Sequence, residues 1–215
     1  RMFDNPILNT KLEIKQGLAT GNNEYFLRSW HEVAFNNSNF YSENSVQAFS
    51  SLKKWFPYNK GGGFRKWYGN QNSLISYNKV SYEKLLTVGN HLPSRNFYFK
   101  EGITWGLISS SSFAPRYTPI GFLFDVGGSS GFSDKLLFYK LALLASKITV
   151  TSLHILSPTL NFQVGDIKQI PLIENKTAII EGLAKICVST SKNDWDSRES
   201  SWDFQQNELI KQQFS

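Results

Sequence analysis

Between Lys53 and Asn70 the chain reads KKWFPYNKGGGFRKWYGN, two aromatic arms separated by three consecutive glycines. Bulky rings such as Trp55, Phe56 and Tyr58 favour extended backbone, while Gly61–Gly63 supply the freedom that a turn requires. The pattern predicts a β-meander over 53–79 with turns at Gly61–Gly63 and Gly69–Asn70. Because successive strand residues point to opposite faces, part of this aromatic set must enter a core while the interleaved cations face water. Trp55, Trp67 and Trp105 are read as core residues on that ground. The glycines lack the GK[ST] ending of a phosphate-binding loop, so they read as a turn.

Around this centre the chain alternates short strand and helix signals. A strand and turn are expected over Lys11–Gly21, a strand or short helix over Asn23–Val33, and a loop over 36–45. Tyr82–Thr87 reads as a short helix, and Phe97–Lys100, Thr104–Ser109 and Gly121–Val126 as strands. Ser109–Ser112 and Pro115–Pro119 fall in loops between them. Ser133–Leu156 has the spacing of one long buried helix, with Ser133 or Asp134 as its cap. Thr159–Ile173 reads as strand, turn and strand, Thr177–Ser189 as an amphipathic helix, and Trp195–Gln212 as its helical continuation. The result is a mixed α/β (α+β) fold with a sheet-rich domain over 1–172, holding the long helix 133–157, and a C-terminal helical segment over 173–215.

With 215 residues, 40% of them hydrophobic, the chain can bury a sizeable core. Its longest apolar run, Leu136–Ala145, is interrupted by Lys140 and too short to span a bilayer, so no membrane partner is expected. A single cysteine and the absence of an apolar leader point to the cytoplasm, and Arg1 ahead of Met2 is read as the mark of a fragment.

Charge is distributed unevenly. Nine cations and one acid lie between Lys53 and Lys100, a local +8 against +6 for the whole chain. Near the C-terminus Asp194, Asp196, Glu199, Asp203 and Glu208 face Arg198 alone, a local −4. A basic block interleaved with rings suits a polyanion, since cations release counterions from phosphates and planar rings stack on bases.

Catalytic signatures are missing. No two of the seven prolines are adjacent, which excludes the Pro-Pro-aromatic motif that grips an exocyclic amine in base methylation. FDVGGSSG over Phe124–Gly131 has glycines without the βαβ setting of a cofactor loop. There is no HExxH, and no metal-ligand spacing among His31, His91, His154 and Cys187.

The runs KQGLATGNNEYFLRSWHEV (15–33), KWFPYNKGGGFRKWYGN (54–70), GFLFDVGGSSGF (121–132), TLNFQVGDIKQIP (159–171) and NDWDSRESSWDF (193–204) resemble the C-terminal half of PglX-type adenine-specific DNA methyltransferases of BREX phage-defence systems. These are similar in turn to restriction-modification methyltransferases with a TaqI-like specificity domain. The resemblance implies a target recognition domain, with a curved, largely antiparallel sheet and flanking helices, set against double-stranded DNA. It implies no cofactor in this chain, and S-adenosyl-L-methionine in an N-terminal methyltransferase domain that lies outside it. Lys60, Arg65, Lys66 and Arg95 are then the expected phosphate contacts, with Lys53, Lys54 and Lys100 as further DNA-binding candidates. Asn70, Ser110, Arg116 and Tyr117 are the candidates for base edges, because Arg suits guanine and Asn suits adenine.

An alternative is a module that docks other phage-defence proteins through the acidic tail, with Trp195 and Trp202 seven residues apart on one helical face. A carbohydrate-binding module is a third reading, disfavoured by the basic block.

Overall fold

The computed structural model describes residues 5–108, 112–156, 161–207 and 209–210. Eight short strands form two four-stranded sheets. The first sheet is antiparallel throughout, in the order β1 (Glu13–Lys15), β8 (Ser130–Phe132), β5 (Gly102–Thr104), β6 (Arg116–Thr118). The second runs β2 (Leu27–Ser29), β4 (Ser73–Ser76), β3 (Trp55–Asn59), β7 (Leu123–Phe124), with β3 and β7 parallel. The expected mixed α/β class and largely antiparallel pairing hold, but on two sheets.

The aromatic arm of β3 explains where the cores sit. Phe56 and Tyr58 enter a cluster with Ile75, Tyr77, Phe99 and Phe124. Trp55 points the other way, against Phe40 and Leu74, with Trp30 and Trp202 packed beside it. Both faces of the strand are covered, so all five of its residues are buried. Pro57 is tolerated at this central position because of register. The Tyr77 N–H donates to the Lys54 carbonyl at 3.0 Å, which puts Pro57 opposite Leu74 at a non-bonded pair of the β3–β4 ladder.

The second arm forms no strand. β3 and β4 pair directly, and residues between them leave the sheet to touch the other one at a single bridge, Trp67 to Arg116. The predicted meander is therefore a hairpin with a long loop that ties the two sheets together. Phe97–Lys100 likewise forms no strand, since Arg95–Phe97 is a 3-10 turn. Pro115–Pro119, expected as loop, holds β6.

Helices α1 (Asn23–Phe26), α2 (Ser45–Ser50) and α3 (Lys79–Leu85) each start from an asparagine, Asn22, Asn44 and Asn78, whose side chain accepts a backbone N–H. The expected long helix is two, α4 (Leu137–Ala145) and α5 (Lys147–Leu156), separated by Ser146 in extended conformation. The Ser146 hydroxyl donates to the Leu143 carbonyl at 2.7 Å and accepts from the Thr149 N–H at 3.3 Å, closing one helix and opening the next. Neither Ser133 nor Asp134 caps α4. Leu136 takes the cap position in left-handed conformation, and the Ser133 hydroxyl instead accepts from the buried Lys140 ammonium at 2.6 Å.

The stretch 161–173 holds a short helix, α6 (Val164–Lys168), in place of the expected strands, and residues 159–160 lie outside the described part. Helix α7 (Thr177–Asp196) packs along α4. Together these helices and the first sheet bury Leu12, Ile103, Trp105, Leu141, Ile167 and Trp195. The chain turns after Asp196, so Trp195 and Trp202 share no helical face. Trp195 enters the helical core and Trp202 packs on the cluster behind β3. No helix among the described residues is long and apolar enough to cross a membrane.

Candidate nucleic-acid interface

Several of the predicted contact residues are spent inside the molecule. Arg116 is 2% exposed. Its guanidinium donates to the Gly61 carbonyl at 2.8 Å and the Arg65 carbonyl at 3.3 Å, which clamps the glycine turn onto β6. Burial, then the nearby Arg65 charge, pulls its pKa down to about 10. The expectation placed Arg116 at a base edge; buried to this degree, its side chain does not reach the surface where such an edge would lie.

Arg65 donates through Nε to the Tyr68 carbonyl at 3.1 Å, pairs with Asp194 on α7, and lies over the Trp195 ring at 4.9 Å. Lys66 donates to the Ala145 carbonyl at 3.1 Å, closing the end of α4. Lys53 donates to the Asn36 carbonyl. The Asn70 amide donates to the Gly63 carbonyl at 2.8 Å. Lys60 sits 3.5 Å from Asp125, a carboxylate that also accepts from Tyr58. Tyr117 donates to Glu101 and stacks on Phe138 at 5.0 Å; burial and this bond raise its phenol. Ser110 lies outside the described residues.

The acidic tail is also engaged internally. Asp194 takes Arg65 and Arg198, and Asp196 and Asp203 flank the Lys192 ammonium. The Arg198 bond is the largest influence holding the Asp194 carboxyl below its usual range. The expected Trp195/Trp202 docking face does not exist as drawn, because both rings are used to fasten the tail to the body.

What remains outward-facing combines Lys54, Arg95 and Lys100 of the predicted set with residues outside it. Lys54 is exposed, with its ammonium 5.0 Å from the Trp55 ring; the half-buried Arg28 approaches the same ring at 5.8 Å from β2 while donating to the Glu24 and Leu27 carbonyls at 2.5 and 2.6 Å. Lys84 on α3 donates to the Tyr25 hydroxyl at 2.6 Å and lies 4.4 Å from that ring's centre. The Lys84 bond first, and the Lys84 and Lys54 charges after it, hold the Tyr25 phenol below its ordinary value, so the three groups share one electrostatic neighbourhood. Tyr25 is 46% exposed. A second patch forms where Lys15 and Lys100 approach the Phe97 ring, at 4.6 and 5.2 Å. Arg95 is exposed and donates to Tyr82 at 3.3 Å.

Of the predicted set, the structure thus brings Lys54 to one basic and aromatic patch and Lys100 to another. Tyr25, Arg28 and Lys84 lie beside Lys54 in the first patch and are outside the predicted set. Tyr25 and Arg28 lie upstream of the basic block, where a lone arginine in EYFLRSW carries no distinguishing signal.

The cofactor loop candidate does not fit a nucleotide. After β7 the chain enters a 3-10 turn over Val126–Gly128 and then β8, with no helix following. A side chain at Gly128 would meet the Asn59 carbonyl at 2.4 Å, so these glycines allow backbone to pack on β3. Among the described residues there is no cluster of three metal-ligating side chains.

No protein-family model matches the chain. It is 39% identical over 212 residues to adenine-specific methyltransferase PglX of Lacticaseibacillus casei (strain Zhang), a match covering 94% of this chain and 18% of that protein. It is 40% identical over 210 residues to adenine-specific methyltransferase BrxX of Escherichia coli O9:H4 (strain HS), covering 95% of this chain and 16% of that protein. The chain therefore spans less than a fifth of the length of the curated relatives it matches.

Proposed function

We propose that this chain, related over nearly its whole length to a segment of PglX-type adenine-specific methyltransferases, is a double-stranded DNA recognition module of such an enzyme. The observation that carries the reading is the exposed set Lys54, Lys84 and Tyr25, beside the buried Trp55 ring that Lys54 and the half-buried Arg28 approach. Lys54 and Lys84, exposed beside rings, keep their charge available to phosphates, while the exposed Tyr25 ring offers a stacking surface. The remainder of the parent protein would supply S-adenosyl-L-methionine binding and methyl transfer. In cells such a module would act in the cytoplasm within a phage-defence modification enzyme, alongside other proteins of that system.

The reading is tested by fluorescence anisotropy of the chain with a randomised duplex pool. Log affinity should fall against log salt, between about 50 and 200 mM, with a slope near −0.9 per phosphate contacted. A flat salt response would sink it.

A further inference from the structure

Helix α7 buries one face and leaves the other apolar. Ala184, Val188 and Trp195 are its buried residues, and the helix lies along α4. On the opposite side Ile179, Leu183 and Ile186 follow helical spacing and are 63%, 57% and 63% exposed. Charge avoids this stripe. Between Thr177 and Ser191 the charged residues are Glu181 and Lys185, and both turn toward α4. Glu181 accepts the Tyr139 N–H at 2.7 Å, and the Lys185 ammonium lies 5.3 Å from the Phe138 ring and 3.8 Å from Glu181. A solvated helix face normally carries charge, whereas the centre of an interface is depleted of it.

Gly182 sits within the stripe. A glycine in a helix interior weakens the helix, and a Cβ here would meet nothing within 4 Å, so packing inside the chain does not require it. The missing side chain leaves a notch beside Leu183, open to a bulky residue from outside. Three aliphatic side chains exposed to this extent present a few hundred Å² of apolar surface, well short of the roughly 800 Å² per partner that a stable complex of separate chains buries. A contact of that size holds when its occupant belongs to the same polypeptide, since tethering removes most of the entropy cost of association. More than four-fifths of each curated relative lies outside the matched segment, ample chain to supply such an occupant.

We propose that the outer face of α7 seats an amphipathic helix from the remainder of a longer polypeptide. That helix would present its own aliphatic residues at i, i+3, i+4 and i+7, one of them lodged over Gly182. The proposal rests on the reading of this chain as a module of a larger methyltransferase and names the surface that fixes it there. The Lys54–Lys84 patch lies on other elements, α3 and the lead into β3, so the two surfaces can be tested apart.

The test compares the chain with the full-length methyltransferase that contains it, each carrying Leu183→Cys. Maleimide labelling is read by mass spectrometry on the tryptic peptide 177–185, which excludes Cys187. The introduced thiol should label at least ~10-fold more slowly in the full-length protein, where it reacts only when the contact opens. Gly182→Leu, added to both, should leave the melting temperature of the chain unchanged or higher, because the space above the glycine is open. In the full-length protein the same change should bring labelling back to the rate of the chain. Equal rates before that change, or slow labelling that survives it, overturns the proposal. Light scattering tests the other occupant: a chain that dimerises, and becomes monomeric on Leu183→Lys, has a second copy on this face, which also overturns it. Duplex binding by the chain should keep its salt slope in Leu183→Lys. A flat slope in the unaltered chain overturns the recognition reading, and the labelling rates judge the α7 face independently of it.

Discussion

Arg116 on β6 donates to the Gly61 carbonyl at 2.8 Å, a bond between residues 55 apart in sequence that fastens the glycine turn of one sheet to a strand of the other. The basic and aromatic run is consequently part of the scaffold. Arg116→Ala should cost about 2–4 kcal/mol, from the vacated volume and the carbonyls left without donors. Urea unfolding measures this, and a variant as stable as the parent would show that the clamp contributes nothing.

The three glycines of that turn are not equivalent. Gly61 has φ +89°, and a Cβ there would lie 2.5 Å from the Gly127 carbonyl, whereas a Cβ at Gly63 meets nothing within 4 Å. Gly61→Ala is expected to destabilise by about 1–3 kcal/mol and Gly63→Ala to stay within about 0.5 kcal/mol of the parent. Paired thermal melts distinguish the two. Equal effects would mean the turn is a loose connection, as its composition alone suggests.

Buried tyrosines set an alkaline limit. Desolvation raises the phenols of Tyr58, Tyr68, Tyr77 and Tyr98, with Tyr68 and Tyr77 pushed up to about 12. An unfolded tyrosine ionises near pH ~10, so above that pH the unfolded chain loses protons that the native chain keeps. Stability from these groups is complete below pH ~10 and falls as pH rises toward about 12. The unfolding midpoint measured against pH, with tyrosinate absorbance as the second readout, should show the loss and the appearance of phenolate together.

Arg65 joins the loop to the C-terminal helix through Asp194 and the Trp195 ring. Its ion pair is partly exposed and contributes little, so Arg65→Ala should cost only about 1–2 kcal/mol, mostly from lost stacking and packing. The salt slope of duplex binding should be unchanged in this variant. A reduced slope with intact stability would return Arg65 to the contact surface.

How far the sequence could be read depended on the reach of the interactions involved. β3 was legible because its aromatic arm has local strand preference, and α7 because its apolar residues keep helical spacing. β8 was missed because Ser130-Gly131-Phe132 has little strand preference of its own; it exists through pairing with both β1 and β5. The break at Ser146 depends on one hydroxyl serving two helix ends, which apolar periodicity does not register. Site residues were harder. The density of cations over 53–100 marked a charged region, but it could not separate Lys54, left at the surface, from Lys53 and Lys66, captured by carbonyls distant in the chain. Tyr25 and Arg28 gain their significance only from the residues that fold beside them.

The proposed DNA contact lies at the Lys54–Lys84 patch. The most direct measurement is the salt dependence of duplex binding for Lys54→Ala/Lys84→Ala beside the parent chain. Two phosphate contacts removed should reduce the slope by about 2 and weaken binding uniformly across sequences, with the melting temperature unchanged. An unaltered slope in a folded double variant would contradict the assignment and place the interface elsewhere on the molecule.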